Sequence, residues 1–242
     1  MDVKDKSAKL LAWMRAHKLK TALYAVLALV LLQYVMLPNN SLQDLRKGNP
    51  GETALMKQRE SEAASDGKPY SIQQQWVPIS RISPHLVHAV ITSEDGTFYE
   101  HAGIDWYELE ESIEKNIEKG KPARGGSTIT QQLSKNLFFS TSKSYGRKAK
   151  ELIVALRMER QLSKKRILEL YLNVIEWGPG IFGAEAASRR YFGKPASALS
   201  REEAARMAAV IPSPLRHAPN VGSAYVQRRA GLILARMASR GY

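Results

Sequence analysis

The stretch Ser83-Pro84-His85-Leu86-Val87-His88-Ala89-Val90-Ile91-Thr92-Ser93-Glu94-Asp95-Gly96-Thr97-Phe98-Tyr99-Glu100-His101-Ala102-Gly103 decides how the chain is read. Ser83 suits an N-cap and Pro84 the first helical position. Leu86, Val87, Val90 and Ile91 then recur at helical spacing, so a helix is expected to end at Glu94. A carboxylate there faces the negative pole of the helix dipole among apolar neighbours. Both effects raise its pKa toward a value useful for general acid or base work. Taken alone, Glu-Asp at a helix end is far more often a solvated turn.

Outward from this stretch the patterns stay helical. Leu152, Ala155, Leu156 and Glu159 to Leu162, then Ile167 to Leu172, Glu202 to Val210 and Tyr225 to Ala238 carry helix-type spacing. Ile72, Trp76, Val77 and Ile79 suggest one short extended element. The fold class is therefore mostly α, without internal repeats.

At the N-terminus, Thr21 to Leu37 (TALYAVLALVLLQYVML) is apolar apart from Gln33 and the edge Thr, long enough for a transmembrane helix. Six Lys and Arg residues precede it against Asp2 and Asp5, which leaves residues 1–20 as a basic cytoplasmic tail. The core is longer than that of a cleaved signal peptide, and no small-x-small site follows Leu37. Residues 38–69 turn polar and read as a tether, in which Glu52 to Ala64 could form a polar helix. Residues 70–242 form the main domain.

Composition narrows the chemistry. The net charge is +13, of which residues 71–242 carry +9, from 25 Lys+Arg against 16 Asp+Glu. Such a balance suits an anionic membrane, a phosphate-bearing substrate or nucleic acid. Aromatic residues do not interleave with the basic ones as a base-stacking platform requires, which argues against nucleic acid. There is no cysteine, so thiolate nucleophiles, disulfides and Cys-based metal sites are excluded.

A second dense stretch is Arg124-Gly125-Gly126-Ser127-Thr128-Ile129-Thr130-Gln131-Gln132-Leu133-Ser134-Lys135-Asn136. Two glycines leading through hydroxyl residues into a helix offer free backbone N–H groups to an anion, with Arg124 and Lys135 as cationic donors. No Gly-Lys-Ser/Thr closes it, so it is not a P-loop; an ordinary helix-capping loop is the alternative. Lys143, Arg147, Lys148 and Lys150 follow, ended by Glu151. Arg147 and Glu151 stand four apart, either as a surface pair or as part of an anion site. Ser163 to Asn173, Trp177 to Gly183 and Ala184 to Lys194 read as structural: an N-cap, core positions and turn glycines.

In order and spacing, Glu94-Asp95-x-x-Phe98-x-x-His101-x-Gly103, Gly125-Gly126-Ser127-Thr128-Ile129-Thr130-Gln131-Gln132-x-x-Lys135-Asn136, Arg147-Lys148-x-x-Glu151 and Tyr171-Leu172-Asn173 resemble the bacterial family-51 peptidoglycan glycosyltransferases, specifically the monofunctional biosynthetic transglycosylases. The resemblance covers about residues 70–215. Phe182 stands where bifunctional relatives often have Tyr, and Lys143 where Arg is common, which loses a bidentate grip on phosphate.

The resemblance implies a lysozyme-like α fold with a smaller membrane-associated lobe, to which Leu137, Phe138 and Phe139 could contribute. It implies polymerisation of lipid II, the undecaprenyl-pyrophosphate-linked disaccharide-pentapeptide, onto a growing glycan strand with inversion and release of the lipid pyrophosphate. Glu94 is then the general base on the acceptor 4-hydroxyl, and Glu151 positions donor-side groups. Lys135, Lys143, Arg147 and Lys148 stabilise the pyrophosphate. Asp95, Phe98, His101, Gly125, Gly126, Ser127, Thr128, Thr130, Gln131, Gln132 and Asn136 complete the substrate contacts, with Asp95 and His101 fixing the turn. The expected location is the bacterial inner membrane, single-pass, with the catalytic domain periplasmic. Membrane lipids and other cell-wall synthesis or division proteins are candidate partners.

No metal cage is legible, although Mg²⁺ or Mn²⁺ could bridge a pyrophosphate. A nominal Ser140-x-x-Lys143 has no accompanying Lys-Thr-Gly, so no transpeptidase domain is expected. A lysozyme-type lytic glycosidase also needs a Glu at a helix end but not the cationic cluster. A membrane-tethered wall-binding protein without catalysis is the third reading.

Overall fold

The computed structural model describes residues 40–119, 126–139 and 145–242, with positions 17, 18, 20, 21 and 24. The chain divides into two units, residues 1–38 and 39–242. In the first, the Thr21 amide donates to the His17 carbonyl at 2.9 Å, one helical turn. Among the described residues no helix is long and apolar enough to cross a membrane. Most of the 21–37 stretch, and Arg124, Gly125, Ser140 and Lys143, lie outside the described residues.

The second unit is mostly helical. Its helices are α1 (Asn40–Asp44), α2 (Ala54–Ser65), α3 (Pro84–Glu94), α4 (Trp106–Lys119), α5 (Ile129–Phe138), α6 (Tyr145–Gln161), α7 (Lys164–Val174), α8 (Ala184–Phe192), α9 (Arg201–Val210) and α10 (Ala224–Ser239). Local chemistry sets the ends of many of them. Thr53, Thr128, Ser163, Ser200 and Ser223 each accept a backbone N–H of the first turn, and Gly193 closes α8 in the left-handed conformation at φ 69°. Ser83 stands at the N-cap of α3 with Pro84 inside, but its hydroxyl donates instead to the Leu199 carbonyl at 3.0 Å. The cap residue thus ties α3 to the loop before α9.

Two packing groups frame the site. In one, α3 packs against α9 and α10; in the other, α5 packs against α6 and α7 and also meets α2. The extended element expected around residues 72–79 shrinks to β1 (Gln73–Gln74), which runs parallel to β3 (Ile181–Phe182), itself antiparallel to β2 (Glu176–Gly178). Gly183, at φ 82°, follows this hairpin where a Cβ would lie 2.7 Å from the Asn173 carbonyl oxygen.

The stretch read as a tether differs from that expectation over residues 40–69. Helix α2 forms, yet it is not a free polar helix: Leu55 and Met56 cluster with Phe182, and Ile72 packs against them. Arg59 of α2 grips the buried Glu176 carboxylate through Nε and Nη2, at 3.0 and 2.9 Å to Oε2. Arg166 of α7 donates to the Leu45 carbonyl at 2.8 Å. Short apolar pairs and two arginines reaching across more than a hundred residues dock a segment whose average composition is polar.

Asn173 fastens α7 to residue 77. Its Nδ2 donates to the Val77 carbonyl at 2.9 Å and its Oδ1 accepts the Val77 amide at 3.0 Å, in a fully buried setting. Asn173→Ala leaves both Val77 groups without partners and is expected to destabilise the fold by about 2–4 kcal/mol in denaturant unfolding. A loss below about 1 kcal/mol would mean that the Val77 groups find other partners.

Candidate active site

Glu94 is the last residue of α3, which delivers its carboxylate to the seam between the two packing groups. The side chain is only 9% exposed. Gln132 Nε2, one turn into α5, donates to Oε2 at 3.1 Å, and the Ser93 hydroxyl donates to Oε1 at 3.0 Å. Gln132 is itself aligned by the buried Tyr171 of α7, whose hydroxyl donates to Gln132 Oε1 at 2.9 Å. Burial pushes the Glu94 pKa above the ordinary carboxylate range, and the Gln132 and Ser93 hydrogen bonds and the Arg229 charge oppose it only in part. Each oxygen keeps a lone pair beyond these donors, as a proton acceptor requires.

The residues after Glu94 build the turn that holds it. Asp95 is buried; its Oδ1 pairs with His101 Nε2 at 2.8 Å and its Oδ2 accepts the Ile129 amide at 2.9 Å. His101 Nδ1 accepts the Gly103 amide at 3.1 Å, so the ring proton sits on Nε2 and donates to Asp95. One carboxylate therefore welds the end of α3 to the start of α5. Gly103 adopts φ 90° with a Cβ position 3.0 Å from Glu159 Cγ, and its carbonyl accepts the Thr128 hydroxyl at 2.7 Å and Gln131 Nε2 at 3.3 Å. A side chain there would meet both backbone strain and Glu159.

Across α5 and α6 lies the cationic half. Lys148 Nζ donates to Ser127 Oγ at 3.0 Å and Gln131 Oε1 at 3.2 Å, and lies 3.7 Å from Glu151 Oε2. Arg147 pairs with the other oxygen of Glu151. Glu151 is 2% exposed, so its pair with Arg147 is not the solvated surface bridge that i, i+4 spacing allows. Lys135 is half-buried and, among the described residues, its ammonium has no hydrogen-bond or ion-pair partner. Burial lowers its pKa, as does nearby Arg147, while Glu94 acts in the opposite sense. Lys148 is lowered likewise by burial and by Lys135 and Arg147. Lys135 thus stands within electrostatic reach of both the carboxylate and the cations.

Several expected substrate contacts sit elsewhere. Phe98 is fully buried, with Lys164 Nζ 4.4 Å from its ring centre, so it packs the turn and offers no surface to a ligand. Thr130 is fully buried and bonds the Glu159 carboxylate, and Asn136 is buried on α5. Thr128 is spent on capping α5. Gly126 is half-buried, with a Cβ position 3.2 Å from Ser112. Leu137 is buried, while Phe138 and Phe139 are half-buried. Tyr171, Ser93 and Arg229 enter the site without having been expected there. Tyr171 lay in a segment read as core, and Arg229 is 136 residues from the hydroxyl it contacts. Among the described residues no three His, Asp or Glu side chains converge to hold a metal ion.

The arrangement is a buried carboxylate within electrostatic reach of a cation that has no partner among the described residues, and of a carboxylate-held cation pair. That combination suits proton removal from a nucleophile and charge stabilisation on an anionic leaving group. Comparison with known proteins agrees. The family model described as transglycosylase matches residues 61–238. A biosynthetic peptidoglycan transglycosylase of Janthinobacterium sp. (strain Marseille) is 48% identical over 79% of this chain and 83% of its own. One from Azoarcus sp. (strain BH72) is 48% identical over 83% and 87%, and one from Aromatoleum aromaticum is 51% identical over 72% and 76%. With every motif of the site inside the matched residues, this chain belongs to the transglycosylase family.

Proposed function

We propose that this chain is a peptidoglycan glycosyltransferase that polymerises lipid II into linear glycan strands by inverting β-1,4 transfer. The observation that carries the reading is Glu94 held at both oxygens in a buried seam, within electrostatic reach of Lys135, which has no partner among the described residues. Glu94 takes the proton of the acceptor 4-hydroxyl, and that oxygen bonds to the anomeric carbon of the donor strand. The bond from that carbon to the pyrophosphate oxygen breaks, and undecaprenyl pyrophosphate leaves with the electron pair. Lys135, Arg147 and Lys148 stabilise the growing negative charge, joined by Lys143, Gly125 and Gly126. Glu151 acts through Arg147 and Lys148 as their anchor. A divalent cation, Mg²⁺ or Mn²⁺, would add positive charge at the departing pyrophosphate.

A substrate with a polyprenyl tail needs an enzyme at the membrane. Residues 21–37 supply the span, with residues 1–20 cytoplasmic and the catalytic domain on the outer face of the inner membrane. Trp106 and Tyr107, 69% and 76% exposed at the start of α4, suit the lipid headgroup level.

The test is incubation of the full chain with lipid II in a bilayer. Lengthening glycan chains support the reading; muropeptide release from finished wall without polymerisation would replace it with a lytic glycosidase. The same assay should give a bell-shaped pH profile of kcat/KM. Its acid limb follows Glu94, active when ionised, and lies above the ordinary carboxylate range. Its alkaline limb follows Lys135 and Lys148, active when protonated, and lies below the ordinary lysine range. An acid limb at the ordinary carboxylate value would contradict the assignment of Glu94.

A further inference from the structure

We propose that Arg229, on α10, is the positioning residue of the Glu94 carboxylate: it orients the Ser93 hydroxyl onto Oε1 and supplies the counter-charge. The proposal rests on the reading of Glu94 as the base.

Arg229 Nη2 donates to Ser93 Oγ at 3.2 Å and lies 3.7 Å from Glu94 Oε1, the oxygen that Ser93 also reaches. A serine hydroxyl has one proton. With Arg229 occupying a lone pair of Oγ, that proton is left to face the carboxylate, and a directed chain runs from Arg229 through Ser93 to Oε1. It mirrors the chain from Tyr171 through Gln132 to Oε2. One chain comes from each packing group, so the carboxylate plane is fixed where the groups meet.

An exposed ion pair at 3.7 Å would matter little. Here the carboxylate is 9% exposed and the arginine 34%, so the interaction is screened mainly on one side. The other groups facing Glu94 are Asp95 beside it, Lys135 on α5 and Tyr171 on α7. Lys135 has the departing pyrophosphate to serve, so its charge is shared once substrate binds. Arg229 remains for the base. Burial alone favours a protonated and idle Glu94, and the Arg229 charge acts against it.

The arginine at the far end of the same helix separates positioning from support. Arg240 Nη1 donates to the Gly96 carbonyl at 2.7 Å, pinning the turn after Glu94 without reaching the carboxylate.

The experiment measures kcat/KM for lipid II polymerisation against pH in the full chain. Arg229→Gln should move the acid limb upward by about one pH unit, so activity falls most at low pH and recovers as pH rises. Arg229→Lys should bring the limb most of the way back. Ser93→Ala should shift it in the same direction by less. Arg240→Gln should lower thermal stability while leaving the limb in place. An unmoved limb in Arg229→Gln with a raised KM would make Arg229 a substrate contact and overturn the proposal. An equal shift in Arg240→Gln would overturn it as general loosening of α10. Should Arg229→Gln fail to fold, Ser93→Ala decides: a shifted limb supports the proposal and an unmoved one overturns it. Full activity in Glu94→Gln would instead defeat the base assignment itself, a different outcome from any of these.

Discussion

Glu94→Gln should leave the fold intact and lower glycan polymerisation roughly 10²–10⁴-fold, the range for loss of a general base. Glutamine keeps the shape and can still meet Gln132 and Ser93, so little packing is lost. What disappears is a lone pair basic enough to take the acceptor proton. Because the proton moves only in the transition state, kcat should carry the loss, with KM little changed. Removing a buried carboxylate also removes a desolvation cost, so thermal stability should hold or rise. Stopped-time assays with lipid II, read as chain length and lipid consumed, measure the first effect, and a melting curve the second. A variant that folds and polymerises at the parental rate would end the assignment.

Lys135→Gln is expected to cost about 10²–10³-fold, chiefly in kcat, the scale of a lost charge-stabilising donor. The physical ground is its isolation: Arg147 and Lys148 already neutralise part of their charge on Glu151, whereas Lys135 has no such partner among the described residues. A half-buried ammonium with a lowered pKa is costly to keep charged, and an anionic ligand offsets that cost. Lys135→Arg should restore part of the rate and move the alkaline limb to higher pH, since a guanidinium does not titrate there. A raised KM with unchanged kcat in Lys135→Gln would place the residue in ground-state binding only. Glu151→Gln should have the smaller effect, because it releases two cations and removes neither.

The helices were legible because their signals are local. Pro84 at the first turn of α3, Ser163 and Thr128 at their caps and the apolar spacing of residues 167–172 all act within a turn or two of the chain. Glu94 at a helix end was legible for the same reason, and the ordered motifs tied it to a cationic cluster. The residues whose burial differs from the expectation share a different origin. Phe98 in a polar motif looked available to substrate, and residues 40–69 looked like a tether, because composition reports the average and burial depends on what comes to rest against a side chain. Thr130 was likewise assigned to the cleft, and Glu159 on α6 claims its hydroxyl instead.

By itself, the sequence determined which segments are helical, that no thiol chemistry is available, and which carboxylates and Lys and Arg residues stand as candidates for the site. The tertiary structure decided which of those groups are buried and which charges they meet. Burial of Glu94 and Glu151, an ammonium on Lys135 without a partner among the described residues, and the approach of Tyr171 and Arg229 to the two sides of one carboxylate arise only when α3, α5, α6, α7 and α10 come together. The pKa of a group and the direction of its hydrogen bonds are set by neighbours in space, and those neighbours come from elements far apart along the chain.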